Sequence, residues 1–439
     1  MNKFKKHFKL IFLFLILLSS TSCDPAIDNE FNFTDEDKQA MLIEMEKSFN
    51  FFYQEVQKDE TSPAYGLIAD QARGNVASIA SVGFGLAAIP IGIEYKWITY
   101  NDGKNRVYKT LETIDSLENI NGFYAHFLNM ETGARHENVE ISVIDTAIMV
   151  IGALIAGQYF GDEVLKLAND IYAKVNWLWY TGNNPHAKNK PQFYMGYNPD
   201  IQKFSGYWDF FAEQLMLYVL GAAAPNESFR TTKVHYDSFA KQYGAYDGED
   251  FIYSWFGSLF THQFSHAFID FSKYLDADGI DWFQNSVDAS IASYDYCVDN
   301  KNIIKTFSEN SWGLTACETK FGYSGYLGTP PRGWSPNSDY YKIRGTVAPA
   351  AALGSMPFTP KESLQALKHY QSLPDLNGKY GLFDAYDLEN NWYSTSYIGI
   401  DKGITLLMLA NTLDGQVWKL SEQNDVIRTG LERIGFVNK

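Results

Sequence analysis

Three observations predict an all-α fold of the (α/α)6 toroid kind, an inner and an outer ring of helices with long pocket-lining loops. Apolar residues recur with helical period along nearly the whole chain. The segments so marked number about a dozen and alternate between apolar-all-round and one-sided stripes, as buried and covering helices would. No Pro/Gly/Ser-rich linker and no charge run cuts the chain, so residues 34–439 are expected to form a single domain despite their length.

In chain order, the first 23 residues stand apart. Lys3, Lys5, Lys6 and Lys9 precede an unbroken apolar run from Leu10 to Leu18, then Ser19-Ser-Thr-Ser-Cys23. A basic start, a short apolar run and a small-residue exit describe an export signal. A cysteine at the cleavage point resembles a bacterial lipoprotein signal, which makes Cys23 the lipidated residue, although Ser20 stands where such signals usually carry Leu. Residues 24–33 are polar and acidic and read as a tether.

Thr34-Asp-Glu-Asp opens a helix over about 35–57, with Met41, Met45, Phe49 and Phe52 on one stripe. Residues 76–97 and 145–159 are apolar nearly all round and predict buried helices, while 104–118 is amphipathic. Helical patterns follow at 162–179, 208–222, 258–275, 279–298, 345–354, 360–372, 401–413 and 421–434. Thr359-Pro360-Lys361-Glu362 reads as a capping box with proline at the first helical position. Stretches 181–207 and 318–344, rich in Gly, Tyr, Pro and Asn, predict long loops, which in a compact domain are usually functional.

Charge and composition narrow the function. The formal net charge is −16, and loss of the four signal lysines takes it to −20. Phosphate backbones would be repelled, so nucleic acid is excluded as a partner, and a membrane is met only through the lipid anchor. A neutral ligand suits this balance. Aromatic residues make up 16 %, with 29 Tyr and 10 Trp. Their flat faces stack on sugar C–H faces and their polar tips bond hydroxyls, although a large core also consumes aromatics. Cys297 and Cys317 fit either a bridge or two buried thiols.

Several constellations could carry chemistry. Late in the chain, Tyr380-Gly-Leu-Phe-Asp384-Ala-Tyr386, Asn390-Asn-Trp392-Tyr393 and Gly399-Ile-Asp401-Lys-Gly403 precede an apolar run. Asp401 would sit at a helix start, as a cap or as one wall of a pocket. Asp145, in Ser142-Val-Ile-Asp145, has the same two readings. Glu213, in Trp208-Asp-Phe-Phe-Ala-Glu213-Gln-Leu-Met, is expected inside a helix among apolar neighbours. There it is either ion-paired or has a raised pKa, which a general acid needs at neutral pH. His262-Gln-Phe-Ser-His266-Ala-Phe-Ile-Asp270 would share a helical face and is the one candidate metal set, but it lacks the Glu of a zincin. No metal and no cofactor is therefore expected. Ser308-Glu309-Asn310-Ser311-Trp312 through Glu318, with Tyr323, Tyr326 and Trp334, resembles a sugar-binding platform or aromatics folded onto the core.

Together with Gly345-Thr-Val-Ala-Pro-Ala-Ala-Ala-Leu-Gly-Ser-Met-Pro-Phe-Thr-Pro360, the late motifs, Trp312-Gly-Leu-Thr-Ala316 and His262-Gln-Phe-Ser-His266 resemble the glycoamylase-like domain, more narrowly glycoside hydrolase family 144. The resemblance runs from about Phe33 to Phe436. It implies an (α/α)6 barrel and hydrolysis of β-1,2-glucan or its oligosaccharides, by internal cuts or by release of sophorose from the non-reducing end. It also implies export to the periplasm or outer membrane. By position, it assigns Glu213 and Asp145 as the essential carboxyls, and Asp401, Trp392, Trp312, His262, Glu318 and Asp384 as sugar-contacting residues. Lys402 stands where the family often has Gln, and Glu318 where Asp is common. The mechanism this implies is inverting, with Glu213 as acid and Asp145, or secondarily Asp401, as base. Two rivals are a glycan-binding lipoprotein without catalysis and a metal-dependent hydrolase using His262, His266 and Asp270. A polysaccharide lyase on a similar toroid fits the net acidity less well.

Overall fold

The computed structural model describes residues 31–331 and 340–439; the expected signal, Cys23, most of the tether and Trp334 lie outside them. Thr34 starts the first helix as its spacing implies. Its hydroxyl accepts the Asp37 N–H at 3.2 Å, and the Asp37 carboxylate accepts the Thr34 N–H at 2.8 Å, closing a capping box. The helices are then α1 (Asp35–Gln54), α2 (Ile79–Glu94), α3 (Tyr100–Ser116), α4 (Val143–Phe160), α5 (Asp162–Ala173) and α6 (Leu215–Ala223). The middle of the chain carries the short α7 (Lys233–Tyr236) and α8 (Phe264–Phe268) and the long α9 (Trp282–Asn300). After them come α10 (Tyr340–Ile343), α11 (Pro349–Gly354), α12 (Pro360–Gln371), α13 (Gly399–Asp414), α14 (Gln416–Gln423) and α15 (Asp425–Ile434). Phe33–Lys439 is one compact unit.

A closed cycle of helices holds the core. Helix α2 packs on α4, and α4 on α6. The Ser265 hydroxyl of α8 receives the Met216 N–H of α6 at 3.1 Å. The Gln263 amide beside α8 donates to Ala351 of α11 at 2.7 Å. Then α11 meets α13, and α13 returns to α2. Around this cycle α1 covers α2 and α13, α5 covers α4, α15 covers α6 and α12 covers α11. Burial follows the sequence pattern: α2 and α4 are buried on nearly all faces, whereas α5 and α15 are buried on one stripe. Helix α4 is long and apolar enough to span a bilayer, but 83 % of it is buried inside the protein.

Helices α2 and α4 approach through bare backbone. A Cβ on Gly152 would stand 2.0 Å from the Gly83 carbonyl oxygen, and one on Gly83 would stand 2.2 Å from that of Ile148. Only glycine fits at this crossing.

Several expected elements are corrected. The predicted 208–222 helix begins only at Leu215, because the Gln214 side chain bonds both the Phe210 carbonyl and the Ala212 N–H at 2.7 Å and holds 210–213 in a turn. The predicted 258–275 helix is three short pieces, since its backbone groups go elsewhere: Leu259 N–H to the Leu314 carbonyl at 3.1 Å and Phe260 N–H to the Thr315 hydroxyl at 3.2 Å. Asp270 then caps a separate turn through Ser272 N–H. The 162–179 helix ends at Ala173, and Asn424 splits the last helix by capping Val426 and Ile427. Thr359 starts α12 with Pro360 at its first position, but its hydroxyl turns back to the Ser355 carbonyl and no capping box forms. Stretch 181–207 is a sheet rather than a loop: Lys190–Asn198 pairs antiparallel with Thr181–Asn184, Lys203–Tyr207 and Ile141–Ser142.

Overpacking a dense core usually costs about 1–3 kcal/mol, and more against rigid backbone. Gly152→Ala should therefore lower stability by about 3 kcal/mol, read as a drop in the chemical denaturation midpoint. An unchanged midpoint would show that α2 and α4 can separate freely.

Candidate active site

The starts of three helices in the cycle are stitched together at one end. Gly399, first residue of α13, donates its N–H to the Asp70 carbonyl at 2.7 Å, and the Asp70 N–H donates to Val76 at 2.9 Å, just before α2. Ile79, first residue of α2, donates to the His126 carbonyl at 3.1 Å, and His126 donates to Glu140 at 3.0 Å, just before α4. Each helix start then presents the third residue of its first turn: Ser81 in α2, Asp145 in α4 and Asp401 in α13. Gly399 permits this crowding, since a Cβ there would lie 2.0 Å from Ser81 Oγ. Helix N-termini carry free N–H groups and a positive dipole end, so carboxyls there are in their favoured place.

Asp145 is held from two sides. The Ser142 hydroxyl bonds its carboxylate and accepts its N–H at 3.3 Å, and His126 Nε2 lies 3.6 Å from its Oδ1. His126 Nδ1 lies 2.8 Å from Glu140 Oε1. Burial alone would lower the His126 pKa. The Asp145 charge, the hydrogen bond to Glu140 and the charges of Glu140 and Asp70 outweigh it and raise the pKa to about 9. An imidazolium is therefore fixed between two acids. His126 was not a candidate in the sequence, where it stands as a lone histidine 14 residues from Glu140.

Glu213 lies in the turn just before α6, 8 % exposed. Its carbonyl accepts the Ser265 hydroxyl at 2.6 Å, which pins the turn to α8. Burial raises its carboxyl pKa to about 7; its own backbone N–H opposes the shift and the Asp145 charge adds to it. No Lys or Arg is among the groups that shift it. Of the two sequence readings, ion pair or raised pKa, the structure gives the second.

Asp384 and Asp401 form a second acid pair. Asp384 accepts the Glu318 N–H at 2.6 Å, and its carboxyl hydrogen-bonds that of Asp401. Asp384 Oδ1 and Asp401 Oδ2 are buried and have no N–H or O–H partner unless a proton lies between the carboxyls. Burial raises Asp384 to about 6, and burial with the Asp384 charge raises Asp401 further. Both carboxyls are thus driven towards the neutral form. Glu318 accepts the Ser394 hydroxyl, and Trp392 packs half-buried beside this cluster on the strand opposite Asp387.

Other expected site residues are placed elsewhere. Trp312 is 0 % exposed, its indole N–H bonded to the Glu362 carbonyl at 3.3 Å and its ring edge-on to Tyr294, so it is core rather than a stacking surface. His262 packs against Phe211 and Phe251, and burial pushes its pKa down to about 3; it too is an interior ring. His266 meets the Ser286 hydroxyl at 3.1 Å. With Asp270 capping another turn, these three do not share a face, and among the described residues no group of three or more His, Cys, Asp or Glu could hold a metal. Lys402 turns away from the site, 2.7 Å from the buried Glu44 and 3.2 Å from the Leu382 carbonyl. Tyr323, on the hairpin after Cys317, is 57 % exposed with Asp401, Asp384 and Asp70 in electrostatic reach; Tyr326 is exposed on the same segment. Cys297 and Cys317 are buried free thiols.

The helical cycle is the fold that the comparisons share. The chain belongs to the glycoamylase family, whose model, described as "Putative glucoamylase", matches residues 205–425. An exo β-1,2-glucooligosaccharide sophorohydrolase (non-reducing end) of Parabacteroides distasonis is 25 % identical over 441 residues, covering 91 % of this chain. The chain spans 58 % of the length of that curated relative. A crystal structure of a putative glucoamylase from Bacteroides uniformis superposes with a TM-score of 0.80 at 25 % identity, covering 93 % of this chain and 99 % of the other. An endo-β-1,2-glucanase from Chitinophaga pinensis, bound to sophorotriose and glucose, shares the fold at TM-score 0.79 and 24 % identity, over 92 % and 99 % of the two chains.

The raised Glu213 pKa has a signed consequence for stability. A carboxyl at about 7 in the folded state against 4.5 in the open chain gives stability that is complete below pH 4.5 and is lost as pH rises through 7. Glu213→Gln, which removes that ionisation, should match the wild-type melting temperature at pH 4.5 and exceed it at pH 8. Parallel melting curves across that window would show that Glu213 ionises without cost.

Proposed function

We propose that the protein is a glycoside hydrolase of the family 144 type, an (α/α)6 toroid acting on β-1,2-glucan or β-1,2-glucooligosaccharides by an inverting acid/base mechanism. The observation that carries the reading is Glu213: a buried carboxyl with no cation among the described residues shifting it, still protonated near neutral pH, beside the charge of Asp145. Two acids whose surroundings separate their roles are the signature of such chemistry. The names of the sophorohydrolase and endo-glucanase relatives supply the linkage, and the closed helical cycle supports the toroid.

In this mechanism the Glu213 proton passes to the glycosidic oxygen as the C1–O bond breaks. Asp145, oriented by His126 and Ser142, takes a proton from the water whose oxygen bonds C1 from the opposite face. Asp401 is the second candidate for base; burial and the Asp384 charge raise its pKa, so it would first have to lose a proton. Asp384, Glu318 and Trp392 contact the sugar. No cofactor enters. We also propose that the chain is exported and anchored through Cys23, which brings the enzyme to neutral glucan at a membrane surface.

A general acid contributes about 10²–10⁴-fold. Purified protein should release reducing ends from β-1,2-glucan, with the new end α-configured in early NMR spectra, and Glu213→Gln should lose that factor in kcat while keeping the fold. Oligosaccharide binding without turnover by the wild type would instead make it a glycan-binding lipoprotein. A β-configured product would overturn inversion.

A further inference from the structure

The Asp70 carboxyl belongs to none of the roles assigned above, yet its backbone is the joint between α13 and α2. Its carbonyl receives Gly399 and its N–H goes to Val76, while the neighbours bridge on either side, Ala69 to Ala77 and Gln71 to Ile398. The chain bends at Asp70; Ala69 is buried in the core at 1 % exposure, whereas Asp70 is only half-buried. There it feels His126 and Asp145 from the α4 side, and Asp401 and Tyr323 feel it from the α13 side. It thus stands between the two acid pairs. Unlike Asp145, Glu318 and Asp384, its side chain accepts no hydrogen bond from the protein among the described residues. Burial raises its pKa to about 6, with the His126 charge opposing and the Asp145 charge adding, so at neutral pH it is mostly a carboxylate with free lone pairs.

We infer that Asp70 is a substrate-binding residue of this site, its carboxylate accepting hydrogen bonds from hydroxyls of the sugar unit held between Asp145 and Asp401. The inference rests on the hydrolase reading. A fixed carboxylate with no protein donor suits a neutral polyol, which brings donors without charge, and it repels a uronate at the same position. Hydrogen bonds to a charged acceptor are among the stronger ones a hydroxyl makes.

The test uses the full chain in two backgrounds. In Glu213→Gln, where turnover is about 10²–10⁴-fold slower, calorimetry with a defined β-1,2-glucooligosaccharide measures binding. Adding Asp70→Asn should weaken it about 10- to 100-fold, and adding Asp70→Ala at least as much, with melting temperatures not lowered because the backbone joint stays. In the otherwise wild-type chain, Asp70→Asn should lower kcat/KM by a similar factor, with a rise in KM. Equal oligosaccharide affinity with and without Asp70→Asn overturns the inference and leaves the hydrolase reading standing. A wild type that forms no reducing ends, and a Glu213→Gln chain that binds no oligosaccharide, overturn that reading and the inference with it.

Discussion

The contact on which the rest depends is the backbone approach of α2 to α4 at Gly83 and Gly152. With no side chains between them, the axes lie closer than a leucine-lined interface would allow. The same economy recurs where Gly403 of α13 meets the Phe84 ring of α2 and where Gly430 of α15 meets the Val219 carbonyl of α6. Close axes bring close helix starts. That is why one short segment around Asp70 can bond both the first residue of α13 and Val76 just before α2. The site is a consequence of how tightly the helices are drawn together.

Drawing acids together has an electrostatic cost, and the structure meets it with protons and one imidazolium. Asp70, Asp145, Glu213, Asp384 and Asp401 could not all be ionised in a half-buried space, since like charges at short range in low dielectric repel strongly. His126 offsets Asp145 and Glu140. Burial and mutual repulsion push Asp384 and Asp401 towards their neutral forms, and burial does the same for Glu213. Glu213 lies in apolar surroundings with no cation among the described residues shifting it, so its proton is available for transfer near neutral pH. The helix dipoles act in the same sense on Asp145 and Asp401. A fixed Lys or Arg beside Glu213 would hold the carboxyl ionised and remove the acid.

How much of this was legible in the sequence follows from the range of the interactions. The existence of nearly every long helix was legible, because burial imposes a 3.6-residue period that survives in α2, α4 and α13. Thr34 and Pro360 mark their helix starts through local backbone chemistry. Glu213 could be singled out because an acid among Phe210, Phe211, Leu215 and Met216 must change its ionisation. The break of 258–275 could not be foreseen, since its backbone partners Leu314 and Thr315 lie more than 50 residues away. His126 and Asp70 escaped notice for the same reason: each is a lone polar residue in a short connector, given meaning by helices that begin elsewhere in the chain. Trp312 and His262 misled because an aromatic ring has the same local signature in a core as beside a sugar.

The buried Lys402–Glu44 pair bears on the same balance from behind. Removing two charges from water is costly, and an apolar pair of equal volume is often as stable, so its presence calls for a local reason. Lys402 follows Asp401 directly in α13, and its ammonium bonds Glu44 of α1 and the Leu382 carbonyl, two residues before Asp384. It therefore ties the outer helix, the start of α13 and the Asp384 turn into one rigid unit. Its positive charge also pulls the pKa values of Asp384 and Asp401 down against burial and mutual repulsion. That opposing charge favours the ionised forms, which offer acceptors to a hydroxyl-rich ligand. A lysine one residue from the site thus acts on the ligand face without pointing at it, by favouring the charged form of its neighbours.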